Sequence, residues 1–167
     1  MMKKIVMILT SIIAGMGIGA GGTAKILSAP LNRNAANADK FQNYFMLMNK
    51  WLKIKQDGKN LSEYFVSKGY HAIAIYGMGD IGESLVNEIR NSGIDIKYGI
   101  DQNAKKNDSD GLPILQLNDE LPNVDVVIVT PVYYYENIEY ILCNRVKCPV
   151  ISLEEVLDMV NEKAFDT

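Results

Sequence analysis

From Tyr70 to about Leu157, short apolar runs alternate with longer segments in which apolar residues recur every three or four positions. The short runs are rich in Val and Ile, as in strands that are buried on both faces of a parallel sheet. The longer segments have the period of amphipathic helices. The pattern predicts an α/β domain over 70–167 with a small, doubly wound, mostly parallel sheet, whose strands are His71–Tyr76, Ile94–Ile100, Gly111–Leu115, Val124–Thr130 and Pro149–Ile151.

Helical segments connect these strands. They are expected at Ile81–Asn91, as a brief turn at Asn118–Leu121, at Tyr133–Arg145, and in a final helix that opens with a capping box at Ser152. In open sheets of this kind ligands bind beyond the carboxyl ends of the strands, so the loops that follow the strands are the first place to search for a site.

The first strand is followed directly by a glycine-rich loop, Gly77-Met78-Gly79-Asp80-Ile81-Gly82, which leads into the next helix. A GxGxxG loop between a strand and a helix is typical of a Rossmann-like nucleotide-binding unit. The first glycine permits a tight turn, the second lets a pyrophosphate approach the backbone, and the third lets the helix pack closely. Free N–H groups and the positive end of the helix dipole attract phosphate. Asp80 and Glu83 oppose that attraction unless their side chains point to solvent.

Asp101 lies at the end of the second predicted strand, 19 residues after Gly82. A carboxylate there can accept hydrogen bonds from ribose hydroxyls and would repel a 2′-phosphate. One of the tyrosines Tyr133–Tyr135 could stack on a base or sugar. The expected ligand is therefore NAD or a sugar nucleotide rather than NADP, and the predicted nucleotide-binding residues are Gly77, Met78, Gly79, Asp80, Ile81, Gly82, Asp101, Thr130 and Pro131.

An uncharged stretch of 20 residues, Ile5 to Ala24, follows Lys3 and Lys4. As a helix it would be roughly 30 Å long, about the thickness of the hydrocarbon core of a membrane. We expect a single-pass membrane anchor over 1–25, with a cleaved signal peptide or a helix buried in the domain as the alternatives. The flanking basic residues give no clear orientation. Because nucleotides are plentiful in the cytosol, we expect a cell-membrane protein whose domain faces the cytoplasm.

Residues 26–69 are expected to form a helical connector. From Asp39 to Lys55 apolar residues recur at helical spacing, which predicts an amphipathic helix. Its apolar stripe consists of Phe41, Tyr44, Phe45, Met48, Trp51, Leu52 and Ile54. This stripe is expected to pack on the domain or on a second copy of the chain. The alternative is a helix in the membrane interface, where the lipid surface would meet Trp51, Lys50, Lys53 and Lys55.

Composition limits the chemistry. The net charge of −3 and the lack of a long basic run argue against nucleic acid as a partner. His71 is the only histidine, so a His-based metal site or catalytic triad is hard to build, and no metal is expected. The spacing of Cys143 and Cys148 fits neither a redox pair nor a zinc site. We expect free thiols that behave as small apolar residues, with a disulfide as the alternative.

The order of these motifs resembles the nucleotide-binding, CoA-binding-like Rossmann domains of bacterial polysaccharide biosynthesis proteins. The resemblance covers about half the chain, from Ala72 to about Leu157, and depends on the order of the pieces. The matching pieces are Tyr76–Gly82, Tyr98–Asn103, Gly111–Leu115 and Val126–Pro131. In that family such domains accompany sugar transferases, sugar-nucleotide dehydratases or acyltransferases and bind a nucleotide or sugar nucleotide. The resemblance therefore implies an auxiliary role in the biosynthesis of cell-surface polysaccharide.

Three hypotheses follow. The first is a membrane-anchored module that binds a nucleotide or sugar nucleotide, because no acid–base pair, nucleophile or metal cluster stands near the loop and no catalytic residue is predicted. The second is a minimal NAD-dependent oxidoreductase or epimerase acting on a sugar nucleotide, with a proton donor among Tyr133–Tyr135. The third is an interaction scaffold that binds no ligand. A second copy of the chain, or an enzyme of polysaccharide assembly, is the expected protein partner.

Overall fold

The computed structural model describes residues 37–102 and 111–162. The chain divides into two compact units, Met1–Gln42 and Asn43–Thr167, and only 37–42 of the first unit are described. The expected membrane anchor, Ile5 to Ala24, lies outside the described residues. Within the described ranges, no helix is both long enough and apolar enough to cross a membrane.

The second unit is built on a five-stranded sheet in which every neighbouring pair of strands is parallel. The strands are β1 (Ala72–Tyr76), β2 (Asp95–Ile100), β3 (Ile114–Leu115), β4 (Val126–Val129) and β5 (Val150–Ser152). Their order across the sheet is β3-β2-β1-β4-β5, which is the order of the first five strands in a Rossmann sheet. The predicted α/β class and parallel sheet are confirmed. The chain reverses its direction of travel across the sheet between β1 and β4, so a crevice is expected beyond the ends of these two strands.

Helices cover both faces of this sheet. They are α1 (37–56), α2 (Ser62–Lys68), α3 (Asp80–Ile89), α4 (Tyr135–Leu142) and α5 (Leu153–Glu162), and a 3₁₀ turn at Val132–Tyr134 precedes α4. One apolar core combines residues of α1, α2, α3 and α5 with one face of the sheet, and a second combines α4 with the other face. Successive side chains of β1 point to opposite faces of the sheet, so Ile73 and Ile75 belong to the first core, whereas Ala74 and Tyr76 belong to the second.

The crossover between β3 and β4 differs from the prediction. Asn118–Leu121 is not helical; a turn stands in its place. The carboxylate of Asp119 accepts a hydrogen bond from the backbone N–H of Gln116 at 2.8 Å, and the N–H of Asp119 donates to the Gln116 carbonyl at 3.0 Å. Local bonds of this kind offer the backbone an alternative to a helix. Pro122 directly after the segment also opposes helix continuation.

The apolar stripe of α1 is only partly covered by the domain. Trp51 and Ile54 are buried in the first core, as predicted, together with Leu47, which the prediction had not included. Phe41, Phe45, Met48 and Leu52 are exposed. The domain therefore covers only part of the stripe, because α1 carries apolar side chains around more of its circumference than one contact can cover, and packing of the exposed part on a second copy stays a prediction.

Salt bridges hold α1 against α5 and α3. Lys50 pairs with Asp158 and, at 3.5 Å, with Glu154. Lys55 pairs with Glu88 at 2.8 Å. Two of the lysines that were considered as membrane contacts thus bind carboxylates of the domain.

Candidate functional site

The glycine loop lies at the carboxyl end of β1, the central strand. Gly77 has a φ of +91°, a left-handed conformation that residues with a Cβ rarely adopt. A Cβ at this position would lie 2.6 Å from Cδ of Pro131 and 2.7 Å from Oγ1 of Thr130. The N–H of Gly77 donates to the carbonyl of Ile100 at 2.8 Å, which ties the turn to the end of β2. Both the backbone angle and the contacts therefore require glycine here.

Gly82 brings the first turn of α3 against this loop. A Cβ on Gly82 would lie 2.1 Å from the carbonyl oxygen of Gly77, closer than any real contact. The third glycine of the motif thus permits the close packing of helix on strand that the sequence pattern requires.

Gly79 is different, because the fold leaves open space beside it. It is exposed, it has ordinary extended angles (φ −80°, ψ −167°), and nothing lies within 4 Å of the position that a Cβ would occupy. Gly79 is the N-cap of α3, and no side chain makes a capping hydrogen bond at this end of the helix. The first turn of α3 thus presents backbone N–H groups beside an unfilled space, which is the arrangement that binds anions at helix N-termini.

Asp101 faces the loop from the end of β2. Its Oδ2 accepts a hydrogen bond from the backbone N–H of Met78 at 2.9 Å, while its own N–H donates to the carbonyl of Leu115 at 3.0 Å. Its negative charge also acts on Tyr76: burial first, and then the neighbouring Asp101 carboxylate, raise the pKa of the Tyr76 phenol, although a hydrogen bond with Gln102 opposes the rise. The phenol is neutral at physiological pH.

Thr130 belongs to the support of the loop. It is buried, and its hydroxyl lies 2.7 Å from the carbonyl oxygen of Gly77 and 3.2 Å from that of Tyr76, to which it can donate. These bonds hold the carbonyl groups on either side of the Tyr76–Gly77 junction. Pro131, the next residue, lies at the surface of the crevice described below.

The remaining loop residues point in different directions. The side chain of Met78 lies over β2, since a Cβ on Gly99 would be 2.7 Å from its Cγ and Sδ. Ile81 is half-buried and packs against the first core. Asp80 and Glu83 are exposed, so their carboxylates can remain hydrated. Met78 and Ile81 thus present mainly backbone to the loop surface.

A crevice of about 390 Å³ opens beside the loop, between the ends of β1 and β2 and helix α4. Ile138 and Ile141 give it an apolar wall on α4, and Asp101 and Gln102 line it after β2. Its lining consists of Tyr76, Gly77, Asp101, Gln102, Pro131, Tyr134, Ile138 and Ile141. The sequence prediction did not include Tyr76, Gln102, Ile138 or Ile141. Helical spacing from Tyr134 to Ile138 and Ile141 was the available signal, because residues at these steps share one helix face.

The three consecutive tyrosines have separate environments. The hydroxyl of Tyr135 lies 2.8 Å from both Oε1 of Glu139 and the carbonyl oxygen of Val150, so this side chain ties α4 to β5. Tyr133 and Tyr134 are partly exposed and meet edge to face, with ring centroids 5.1 Å apart. Tyr134 lines the crevice and also a second concavity of about 340 Å³, whose lining includes Ser152 and Glu154.

Comparison with known proteins yields no relative from which a function could be transferred. No family model, curated protein or solved structure matches this chain significantly. The geometry of the loop and the crevice is therefore the basis for assigning a function.

The two thiols lie apart from the crevice lining, in which Asp101 is, among the described residues, the one residue of the His, Cys, Asp or Glu type. Cys143 is exposed, Cys148 is half-buried, and both are free, as expected. Burial is the main cause that raises the pKa of the Cys148 thiol. Across the described ranges, no group of three or more His, Cys, Asp or Glu side chains is placed to hold a metal ion.

Proposed function

We propose that this chain is a nucleotide-binding module, and that the phosphates of its ligand lie over Gly79 at the N-terminus of α3. The open space beside Gly79 is the observation that carries this proposal. Gly77 and Gly82 are required by the backbone and by packing, but the surrounding protein places no steric demand on Gly79. A ligand that lies close to the backbone would explain a glycine at this position, because a side chain would block its approach.

Asp101 supports the choice of ligand. Its carboxylate stands beside the loop, where it can accept hydrogen bonds from ribose hydroxyls and repel a 2′-phosphate. This favours NAD or a sugar nucleotide over NADP.

The α4 wall of the crevice suits a base. Ile138, Ile141 and Tyr134 provide an apolar and aromatic surface there. Base stacking on aromatic side chains stabilises nucleotide binding without demanding one particular base. The second concavity on the other side of Tyr134 offers polar groups, Ser152 and Glu154 among them, to a sugar or another second moiety of the ligand.

The biological setting is proposed from the sequence. The resemblance to Rossmann domains of polysaccharide biosynthesis proteins supports an auxiliary role in cell-surface polysaccharide assembly. The uncharged stretch Ile5 to Ala24 supports a single membrane anchor, and the abundance of nucleotides in the cytosol favours a site on the cytoplasmic side.

Thermal unfolding of the full chain in detergent micelles tests the binding proposal. NAD, NADP, CoA and UDP-sugars are each added at a large excess. A nucleotide that binds only the folded state at about 100 times its dissociation constant stabilises it by about 2.7 kcal/mol, which raises the midpoint by several degrees. Gly79→Val should remove the shift and lower the midpoint of the free protein only slightly, since valine is a poorer N-cap residue than glycine but meets no neighbouring atom at its Cβ. Asn87→Val, on an exposed site of the same helix, is the control and should keep the shift. If no nucleotide shifts the midpoint, the proposal is wrong.

An oxidoreductase or epimerase is the second candidate, and Tyr134 is the observation that favours it. Of the three tyrosines, only Tyr134 lines the crevice beside Gly77 and Asp101, where a phenol could donate a proton to a substrate. Turnover of NADH with candidate sugar nucleotides, abolished by Tyr134→Phe, would establish an enzyme. Binding without turnover in both proteins would leave the binding module as the function.

A further inference from the structure

Helix α1 has a second apolar surface, which the domain does not cover. Leu47, Trp51 and Ile54 face the core. Phe45, Met48 and Leu52, here called the outer stripe, are 69%, 41% and 55% exposed. Scattered apolar residues on a surface need no explanation, but three large ones aligned along one helix face indicate a contact site.

The spacing of the outer stripe is that of a helix–helix seam. Phe45, Met48 and Leu52 follow one another at steps of three and four residues, and Phe41 continues the series four residues earlier in the sequence. This alternation repeats every seven residues, which is the a/d pattern by which two helices pack knobs into holes. Met46 is also exposed, at 59%, but it lies at least about 100° around the helix from each residue of the outer stripe.

The surroundings of the outer stripe are uncharged on the side away from the domain. Asn49 and Gln56 lie beside the outer stripe on that side; they are seven residues apart and both are exposed. Interface cores between proteins are depleted of charge, whereas helices that lie on membranes carry Lys and Arg along the edge of the apolar face. Lys50 and Lys55 bind carboxylates of the domain, and Lys53 is turned about 100° from Leu52.

We propose that the outer stripe is the seam of a homodimer, in which α1 of one copy packs against α1 of a second copy. In such a twofold pair the same residues meet from both sides, so the uncharged apolar seam is complementary to itself. Each of these exposed side chains offers on the order of 100 Å² of surface. The three side chains of each copy then bury on the order of 600 Å² in the pair, which is below the size of a standard specific interface. The dimer is accordingly weak and depends on concentration. It is independent of the nucleotide site.

Disulfide trapping of the full chain tests this interface. In a background with Cys143→Ser and Cys148→Ser, Met48→Cys places one thiol at the centre of the seam. Asn43→Cys is the matched control, because it is exposed on the same helix a little more than half a turn from Phe45. Mild oxidation in detergent micelles should convert Met48→Cys largely to covalent dimer and leave Asn43→Cys at the collision background.

A second substitution distinguishes cross-linking through a specific interface from cross-linking by random collision. Adding Phe45→Gln to Met48→Cys removes an exposed apolar contact in both copies without touching the core, so dimerisation should weaken roughly tenfold or more. The circular dichroism spectrum should not change. Equal cross-linking of Met48→Cys and Asn43→Cys would overturn the proposal. A polarity-sensitive fluorophore attached to Met48→Cys gives a second test. If the protein stays monomeric and the fluorophore brightens only when lipid vesicles are added, the outer stripe contacts lipid and the proposal is wrong.

Discussion

The carboxylate of Asp101 and the backbone N–H of Met78 are joined by a hydrogen bond of 2.9 Å, which links the end of β2 to the second residue of the glycine loop. The bond places a negative charge next to the loop and fixes the orientation of the carboxylate. It also means that Asp101 has a structural partner before any ligand arrives. A ligand would therefore encounter a carboxylate that is already oriented, so little entropy is lost in positioning it.

The first prediction concerns ligand selectivity at Asp101. Asp101→Asn retains an oxygen that can accept from Met78 but removes the charge that repels a 2′-phosphate. We expect folding to be nearly unchanged and the ratio of NAD to NADP affinity to fall about tenfold or more, which corresponds to about 1.4 kcal/mol. Isothermal titration of both nucleotides measures the ratio. An unchanged ratio would show that Asp101 does not contact the ribose.

The second prediction concerns the support of the loop by Thr130. Thr130→Val keeps the shape of the side chain but removes the hydroxyl that bonds the carbonyls of Gly77 and Tyr76. Loss of this buried donor should destabilise the domain by about 1–2 kcal/mol and speed amide exchange in the loop. Hydrogen exchange of the 77–82 segment is the measurement. Thr130→Ser retains the donor, so its loop should exchange as slowly as the wild-type loop.

The third prediction compares two glycines of one motif. Gly82→Ala places a methyl group 2.1 Å from the Gly77 carbonyl oxygen, so the start of α3 has to move, and we expect a loss of about 3 kcal/mol or more. Gly79→Ala meets nothing within 4 Å and has permitted backbone angles. Its stability should change by less than about 1 kcal/mol, because the reduced entropy of the unfolded chain favours alanine whereas the N-cap position favours glycine. Urea unfolding of both variants decides the matter. Equal losses would contradict the view that only Gly82 serves packing.

Much of the fold could be predicted from the sequence because it depends on local patterns. Strands buried on both faces have no alternation to misread, and β4 appears as the continuous apolar run Val126–Val129. The N-terminal cap of α5 by Ser152 was also predictable, because it depends on a hydrogen bond between residues that are close in the sequence. The Oγ of Ser152 accepts this bond from the N–H of Glu155 at 3.1 Å. The helical turn predicted at Asn118–Leu121 is wrong because the carboxylate of Asp119 accepts a hydrogen bond from the nearby backbone N–H of Gln116. Residue propensities do not show which of the competing local hydrogen bonds forms.

The candidate site was predictable in part. The glycine positions follow from the spacing of the motif, but the contribution of Ile138 and Ile141 to the crevice depends on how α4 packs across the sheet. The two surfaces of α1 illustrate the same limit. Helical period identifies Trp51 and Leu52 as apolar positions of one helix, yet only the packed structure shows that the first is buried and the second is exposed.

The last prediction concerns alkaline pH and Tyr98. This side chain is buried, and its hydroxyl donates to the carbonyl of Pro122 at 2.7 Å. Burial, and secondarily the nearby Cys148, raise the pKa of Tyr98 from 10.0 to about 12. Because the folded-state pKa is the higher one, the neutral phenol contributes stability that is complete below pH 10 and is lost as the pH rises toward 12. In that interval the unfolded chain has released a proton that the folded chain retains.

Tyr98→Phe removes both the hydrogen bond and the titration. At pH 8 the variant should be less stable than the wild type by about 1 kcal/mol. Between pH 10 and 12 the wild type should lose up to about 1.4 kcal/mol per pH unit through Tyr98, and the variant should not, so the two free energies of unfolding converge and then cross at about pH 11. Tyr64, whose pKa burial also raises to about 12, titrates in both proteins, so the difference between their profiles isolates Tyr98. Urea unfolding at pH 8, 10 and 11 measures that difference. Parallel profiles would mean that Tyr98 ionises as readily in the folded chain as in the unfolded one.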